Sequence, residues 1–305
     1  MRTNALLICL SVCLFCFGCV SEDEETPLRG KLHVVVCESQ AKVMATEARE
    51  FMRLYPNAHI TWSVMTTREA IIQLVSGKVK FICIDRPLNS EEEAAATSAG
   101  LTVAKVHVAE DALAFLVNPA NHLQHLTQQE LKNIFTGATD TWDTVDSSGL
   151  HGAIERVMTG KNSGVHELFS RRFLNWNGDI PLSARADSQQ QVLALVASQR
   201  QAIGVVSMGA LSDTLRPLRV LRMESIDSTG VASFVRLHQA NVYLETYKYH
   251  FPVYVCLTPK KTDLASGFSA FIGSAPGQKI FLNAGLVPVT MPVRLVHLNE
   301  QSTAE

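Results

Sequence analysis

The sequence predicts an α/β fold built on mostly parallel sheets. Short unbroken apolar runs, with no alternating wet face, suit strands buried on both sides. They alternate with longer segments whose apolar residues recur at helical spacing, so strand and helix follow one another along the chain. Hydrophobic residues make up 47% of the 305, which implies a real core and excludes a disordered chain.

The first apolar run is LHVVV at 32–36. Glu38-Ser39-Gln40 follows, then a helix with Ala41, Met44, Ala45, Ala48, Phe51 and Met52 on one side. ITWSV at 60–64 is the next strand, and Thr66-Thr67-Arg68-Glu69 forms a T-x-x-E capping box for a helix ending near Gly77. KFICI at 80–84 is the third strand, followed by Asp85-Arg86-Pro87-Leu88, with Ser90 and Glu93 as the next capping box. ALAFLV at 112–117 is a strand ending at Asn118-Pro119, and Thr127 and Glu130 cap the helix LKNIF. AIGVVS from Ala202 is a strand before a small helix at GALSDTL. PVYVCL is the last long strand. SGFSAFI and GQKIFLNAG are helices, the second stopped by Gly285.

Residues 1–19 stand apart. Arg2 precedes the apolar run ALLICLSVCLFCFGCV, which is short for a membrane span and reads as a signal-peptide core. Gly18 directly before Cys19 resembles a bacterial lipoprotein cleavage site with Cys19 as the lipidated residue, although Cys16 stands where an aliphatic is usual. An acidic, proline-containing linker occupies 20–30. A plain signal peptide or an uncleaved anchor is the alternative. Cys37 and Cys83 lie in strand-like runs and read as buried free thiols, with a disulfide between them as the second possibility.

Formal net charge is −2, so bulk electrostatics give no support for a nucleic-acid partner. The chain has no zinc-type Cys/His spacing, no P-loop, no nucleophile elbow and no HExxH. His107, His122, His125 and His166 are scattered. The expectation is a protein with no metal, no cofactor and no catalytic set.

Three strand-to-helix passages share one pattern. At Ser39-Gln40, Thr66-Thr67 and Ser163-Gly164 a polar loop leads into a helix start. Helix starts carry unpaired N–H donors and partial positive charge, and ligands of open α/β sheets sit beyond the strands' carboxyl ends. The pattern fits an anion site, or simply three capped helices.

The segment 108–142, VAEDALAFLVNPANHLQHLTQQELKNIFTGATDTW, resembles phosphate-binding proteins of bacterial phosphate ABC transporters, the PstS-like family. Its landmarks are Val117-Asn118-Pro119, Leu126-Thr127, Leu131, Ile134-Phe135, Gly137 and Trp142. The resemblance continues through Ala202–Ser207 and from Pro276-Gly277-Gln278 to Pro288, covering about 31–290 in order. It implies a two-lobed periplasmic-binding-protein-like (type II) fold, with lobe one at 31–110 plus 248–295 and lobe two at 111–247. It also implies a monomer outside the cytoplasm that binds phosphate or a related oxyanion between the lobes and delivers it to an ABC transporter permease. With Cys19 it would be held to the membrane by a lipid anchor.

The resemblance also implies site residues. The family's first loop falls on Ser39-Gln40 and its second on Thr66-Thr67-Arg68. Its Asp-x-Pro-Leu loop is matched by Asp85-Arg86-Pro87-Leu88. Its Arg-x-x-x-Ser-Gly-Thr signature falls on Thr159 to Val165, keeping Ser163 and Gly164 but placing Thr159 at the Arg position and Val165 at the last hydroxyl. The forked recognition an Arg provides is therefore missing there. Arg68 and Arg86 are the candidates to restore positive charge, whereas Glu38 opposes an anion if it faces inward. This altered signature keeps a second reading open: the same fold with a different or lost ligand.

Overall fold

A computed structural model describes residues 25–145, 148–211, 217–260 and 262–293. Cys19 and the leader lie outside these residues. The first units run β1 (Gly30–Cys37), α1 (Ala41–Leu54), β2 (Ala58–Met65), α2 (Thr67–Val75), β3 (Phe81–Ile84) and α3 (Ser90–Ser98). The long strand β4 (Ala104–Val117) is followed by β5 (His125–Leu126), α4 (Gln128–Thr136), β6 (Glu155–Thr159) and α5 (Gly164–Glu167). Then come β7 (Ala184–Ala186), α6 (Gln189–Ser198), β8 (Ala202–Ser207), α7 (Met208–Leu211), β9 (Arg219–Val220), β10 (Arg222–Ile226) and β11 (Ala232–Val235). The chain closes with α8 (Gln239–Tyr243), β12 (His250–Leu257), α9 (Leu264–Gly273), α10 (Ala275–Asn283) and β13 (Val287–Pro288).

The strands pair in the order β2-β1-β3-β12-β4-β8-β6-β7. The flanks are parallel: β1 pairs β2 from Gly30↔Ala58 to Cys37↔Met65, and β6 pairs both β7 and β8 in parallel. The middle is antiparallel, because β4 and β12 cross from one half to the other. Both crossing strands change core as they cross. Val108 and Ala109 of β4 pack with Phe51, Phe81 and Phe268, whereas Leu113 and Phe115 pack with Phe135, Phe169 and Tyr249. On β12, Phe251 belongs to the second cluster while Val253, Val255 and Leu257 belong to the first. Two cores joined by shared strands give a two-lobed α/β molecule of the expected class.

The local expectations hold where side-chain chemistry is unambiguous. Thr66 and Thr127 cap α2 and α4 with reciprocal bonds to Glu69 and Glu130. The capping box of α3 is a correction: it is Asn89 with Glu92, not Ser90 with Glu93. Both pairs fit the three-residue spacing, but Asn89 has the extended backbone a cap requires and Ser90 is already helical. Gly285 ends the last helix with φ near +89°, where only glycine rests without strain. The small sheet β11-β10-β5 was not expected. The three described cysteines are free and buried. Among the described residues no helix is long and apolar enough to cross a membrane.

Candidate functional site

Three chain passages meet at one buried carboxylate. Asp85, just past β3, is 2% exposed. Its Oδ2 accepts from Ser39 Oγ at 2.8 Å and its Oδ1 from Thr67 Oγ1 at 2.6 Å. Ser39 lies in the tight turn between β1 and α1, and Thr67 is the first residue of α2. From the opposite half comes the start of α5: a Cβ placed on Gly164 would fall inside the Asp85 carboxylate. Glycine is required there for close approach. Beside it, Thr159 Oγ1 and Ser163 Oγ lie 2.9 Å apart, both buried, and Ser163 makes no side-chain cap to its own helix.

Burial pushes the Asp85 carboxyl above its ordinary range, opposed by the Thr67 and Ser39 hydrogen bonds and by the Arg86 charge. Hydroxyls that now donate to Asp85 can equally donate to the oxygens of a small anion. A raised carboxyl can in turn accept a proton-bearing ligand oxygen. The arrangement suits a small oxyanion that carries a proton, and it disfavours one that is all acceptor.

Of the other sequence-derived candidates, several go elsewhere. Gln40 is fully buried and donates to Asp111 Oδ2 at 2.9 Å. Asp111 also accepts from the Ala112 and Gly209 N–H groups, and burial pushes its carboxyl up to about 6. Thr66 is occupied as the α2 cap. Val165 sits at 0% exposure in the second core. Arg86 is held by Glu92 through two bonds at 2.9 Å and by Glu167 at 3.0 Å, so it does not point bare positive charge at Asp85. Arg68 is exposed and lines a cavity of about 460 Å³ with Lys161, His166 and Arg171.

The sequence did not point to Glu167, Glu92 or Gln189. Glu38 does face inward: its Oε1 accepts from the backbone N–H of Gln189, the first residue of α6, at 2.5 Å. Burial raises the Glu38 carboxyl as well. A cavity of about 270 Å³ beside this contact is lined by Glu38, Ser39, Lys42, Gln189 and Gly209. The Asn89-x-x-Glu92 spacing could have located Glu92; nothing local foretold the long-range partners. Among the described residues no group of three His, Cys, Asp or Glu side chains could hold a metal ion.

Comparison with known proteins places this geometry in context. The model of the PBP superfamily domain matches residues 21–276. The phosphate-binding protein PstS of Pseudomonas aeruginosa is 25% identical over 279 residues, 87% of this chain and 84% of that protein. Protein SphX of Synechococcus elongatus is 24% identical over 250 residues, 79% of this chain and 72% of that protein. Among solved structures, the ABC-type phosphate transport receptor from Vibrio cholerae superposes with a TM-score of 0.67 at 19% identity, covering 85% of this chain and 100% of that one. A high affinity periplasmic phosphate-binding protein bound with phosphate gives a TM-score of 0.66 at 16% identity, covering 85% and 90%.

Proposed function

The chain belongs to the PBP superfamily, and from that premise we propose that it is an extracytoplasmic solute-binding protein for phosphate or a related oxyanion, serving an ABC transporter. The observation that carries this reading is the convergence of Ser39, Thr67 and the Gly164 helix start on the buried Asp85. In that cradle the hydroxyls and the α5 backbone donate to ligand oxygens, and Asp85 accepts the ligand's proton. Sulfate, with no proton to offer at neutral pH, is disfavoured. We assign lobe one to 31–110 plus 248–295 and lobe two to 111–247, with the permease reading the closed pair. A lipid anchor at Cys19 would keep the monomeric protein at the membrane. The fold's use is binding, not catalysis.

The test is isothermal titration of the full chain in detergent, stripped of carried-over ligand, with phosphate and then sulfate. The expected result is phosphate binding with Kd in the micromolar range or tighter, about −8 kcal/mol, and no comparable sulfate binding. A folded protein silent to phosphate would overturn it. The second reading, a same-fold module with another ligand, draws on two observations: Arg86 is neutralised by two glutamates, and Thr159 stands at the arginine position.

A further inference from the structure

The positive charge missing around Asp85 lies one step outward. The 460 Å³ cavity is lined by Arg68 from one side of the cleft and by Lys161, Asn162, His166, Glu167, Arg171 and Trp176 from the other. It adjoins the cradle at two points in sequence, since Arg68 follows Thr67 and Asn162 precedes Ser163. Its charges do not cancel. Lys161 is paired with Asp179, and Glu167 with Arg86. Arg68 and Arg171 make no hydrogen bond or ion pair among the described residues. Glu92 lies within electrostatic reach of Arg68 but gives both oxygens to Arg86. Two arginines therefore line one cavity, each with a fork able to take two oxygens of a planar or tetrahedral anion.

His166 adds a directional group. It is 6% exposed, and its Nδ1 lies 3.0 Å from the Thr159 carbonyl oxygen. A carbonyl can only accept, so Nδ1 carries the proton. Burial lowers the imidazole pKa, aided by the nearby Lys161 and Arg185 charges and offset by the Thr159 hydrogen bond. The ring is thus neutral, and Nε2, which has no partner among the described residues, is an acceptor. Trp176 supplies an apolar wall, its ring lying against the Gly178 backbone. The volume lies within the range of small-molecule pockets, about 300–1,000 Å³, and exceeds what a bare oxyanion fills.

Going beyond the oxyanion reading above, we propose that this outer cavity, separate from the Asp85 cradle, takes a phosphomonoester or phosphonate, whose dianionic head is gripped by Arg68 and Arg171. A hydroxyl of the organic part donates to His166 Nε2, and its carbon skeleton lies against Trp176. Inorganic phosphate alone leaves most of this cavity unfilled.

The test titrates the full chain in detergent with glycerol 3-phosphate, inorganic phosphate and glycerol, and follows tryptophan fluorescence in parallel. The expected result is at least tenfold tighter binding of glycerol 3-phosphate than of phosphate. Arg68→Gln and Arg171→Gln, both at exposed positions that should not disturb folding, should each weaken the ester about tenfold or more. Trp176→Phe should abolish the ester-induced fluorescence change while Trp62 and Trp142 remain. Phosphate binding without preference for the ester, or ester binding indifferent to both arginine variants, overturns this inference and leaves the oxyanion reading standing. A folded protein that binds neither ligand overturns both.

Discussion

At the residue scale, two buried carboxyls have opposite meanings. Asp85 is buried with donors aimed at it, and its neighbours are replaceable by ligand oxygens. Asp85→Asn exchanges a proton acceptor for a group that both donates and accepts. Protonated phosphate should bind about tenfold more weakly and sulfate more tightly, which paired titrations at pH 7 would read. Unchanged selectivity would remove Asp85 from the site. Glu47 has no such partners: it is fully buried in α1 and neither carboxylate oxygen makes a hydrogen bond. Burial, helped by Glu50, pushes its carboxyl up to about 9. The folded state then holds a proton that the unfolded chain releases above about 4.5. Native protein binds more protons in this window, so stability falls as pH rises from about 4.5 to about 9. Glu47→Met should stabilise the fold by on the order of 2–4 kcal/mol at pH 8 and by clearly less at pH 5. Urea denaturation at the two pH values decides it; a pH-independent difference would mean that Glu47 does not carry the buried proton.

At the element scale, the start of α5 is set by one contact. The chain can bring this helix against Asp85 only because residue 164 lacks a Cβ. Gly164→Ala should destabilise the protein by about 1–3 kcal/mol through overpacking, and the penalty should shrink when Asp85 is also truncated to Ala. A double-mutant cycle by chemical denaturation measures that coupling, and simple additivity would show that the two do not touch. This contact illustrates what was legible in the sequence. Ser39, Thr67, Ser163 and Gly164 could be read as cradle candidates because each lies where a strand passes into a helix, whereas Asp85 was legible only through the resemblance of Asp85-Arg86-Pro87-Leu88 to the family's Asp-x-Pro-Leu loop. The aim of their neighbours could not: Gln40 turns to Asp111, and Arg86 to Glu92 and Glu167, partners that are mostly distant in sequence. Strands β1, β3 and β8 were legible because burial on both faces leaves an unbroken apolar run. The β10–β11 hairpin was not, since it is largely exposed and carries no such run. The α3 cap slipped by one residue because Asn89/Glu92 and Ser90/Glu93 satisfy the same spacing.

At the scale of the whole molecule, the protein's own acidic side chains join the two proposed lobes. On the proposed lobe boundaries, Glu38 reaches from lobe one to the first N–H of α6 in lobe two, and Arg86 of lobe one is bridged to Glu167 of lobe two. A carboxylate at a helix start is favourably placed against the helix dipole, and a buried arginine shared between two glutamates is held more firmly than a surface pair. These ties have the form of the contacts a bound anion would make, one side contributing the charge and the other the donors. Lobe closure normally depends on ligand contacts from both sides; here part of that closing free energy is present without ligand, so the closed state should be populated in its absence. Glu38→Ala combined with Glu167→Ala removes one partner from each tie while leaving Ser39, Thr67 and Asp85 in place. The double variant should show a larger radius of gyration by small-angle scattering than the parent, both free of ligand, and should compact when ligand is added. The parent should change little on addition. If parent and variant are equally expanded without ligand, the acidic ties do not hold the lobes, and closure rests on the ligand alone.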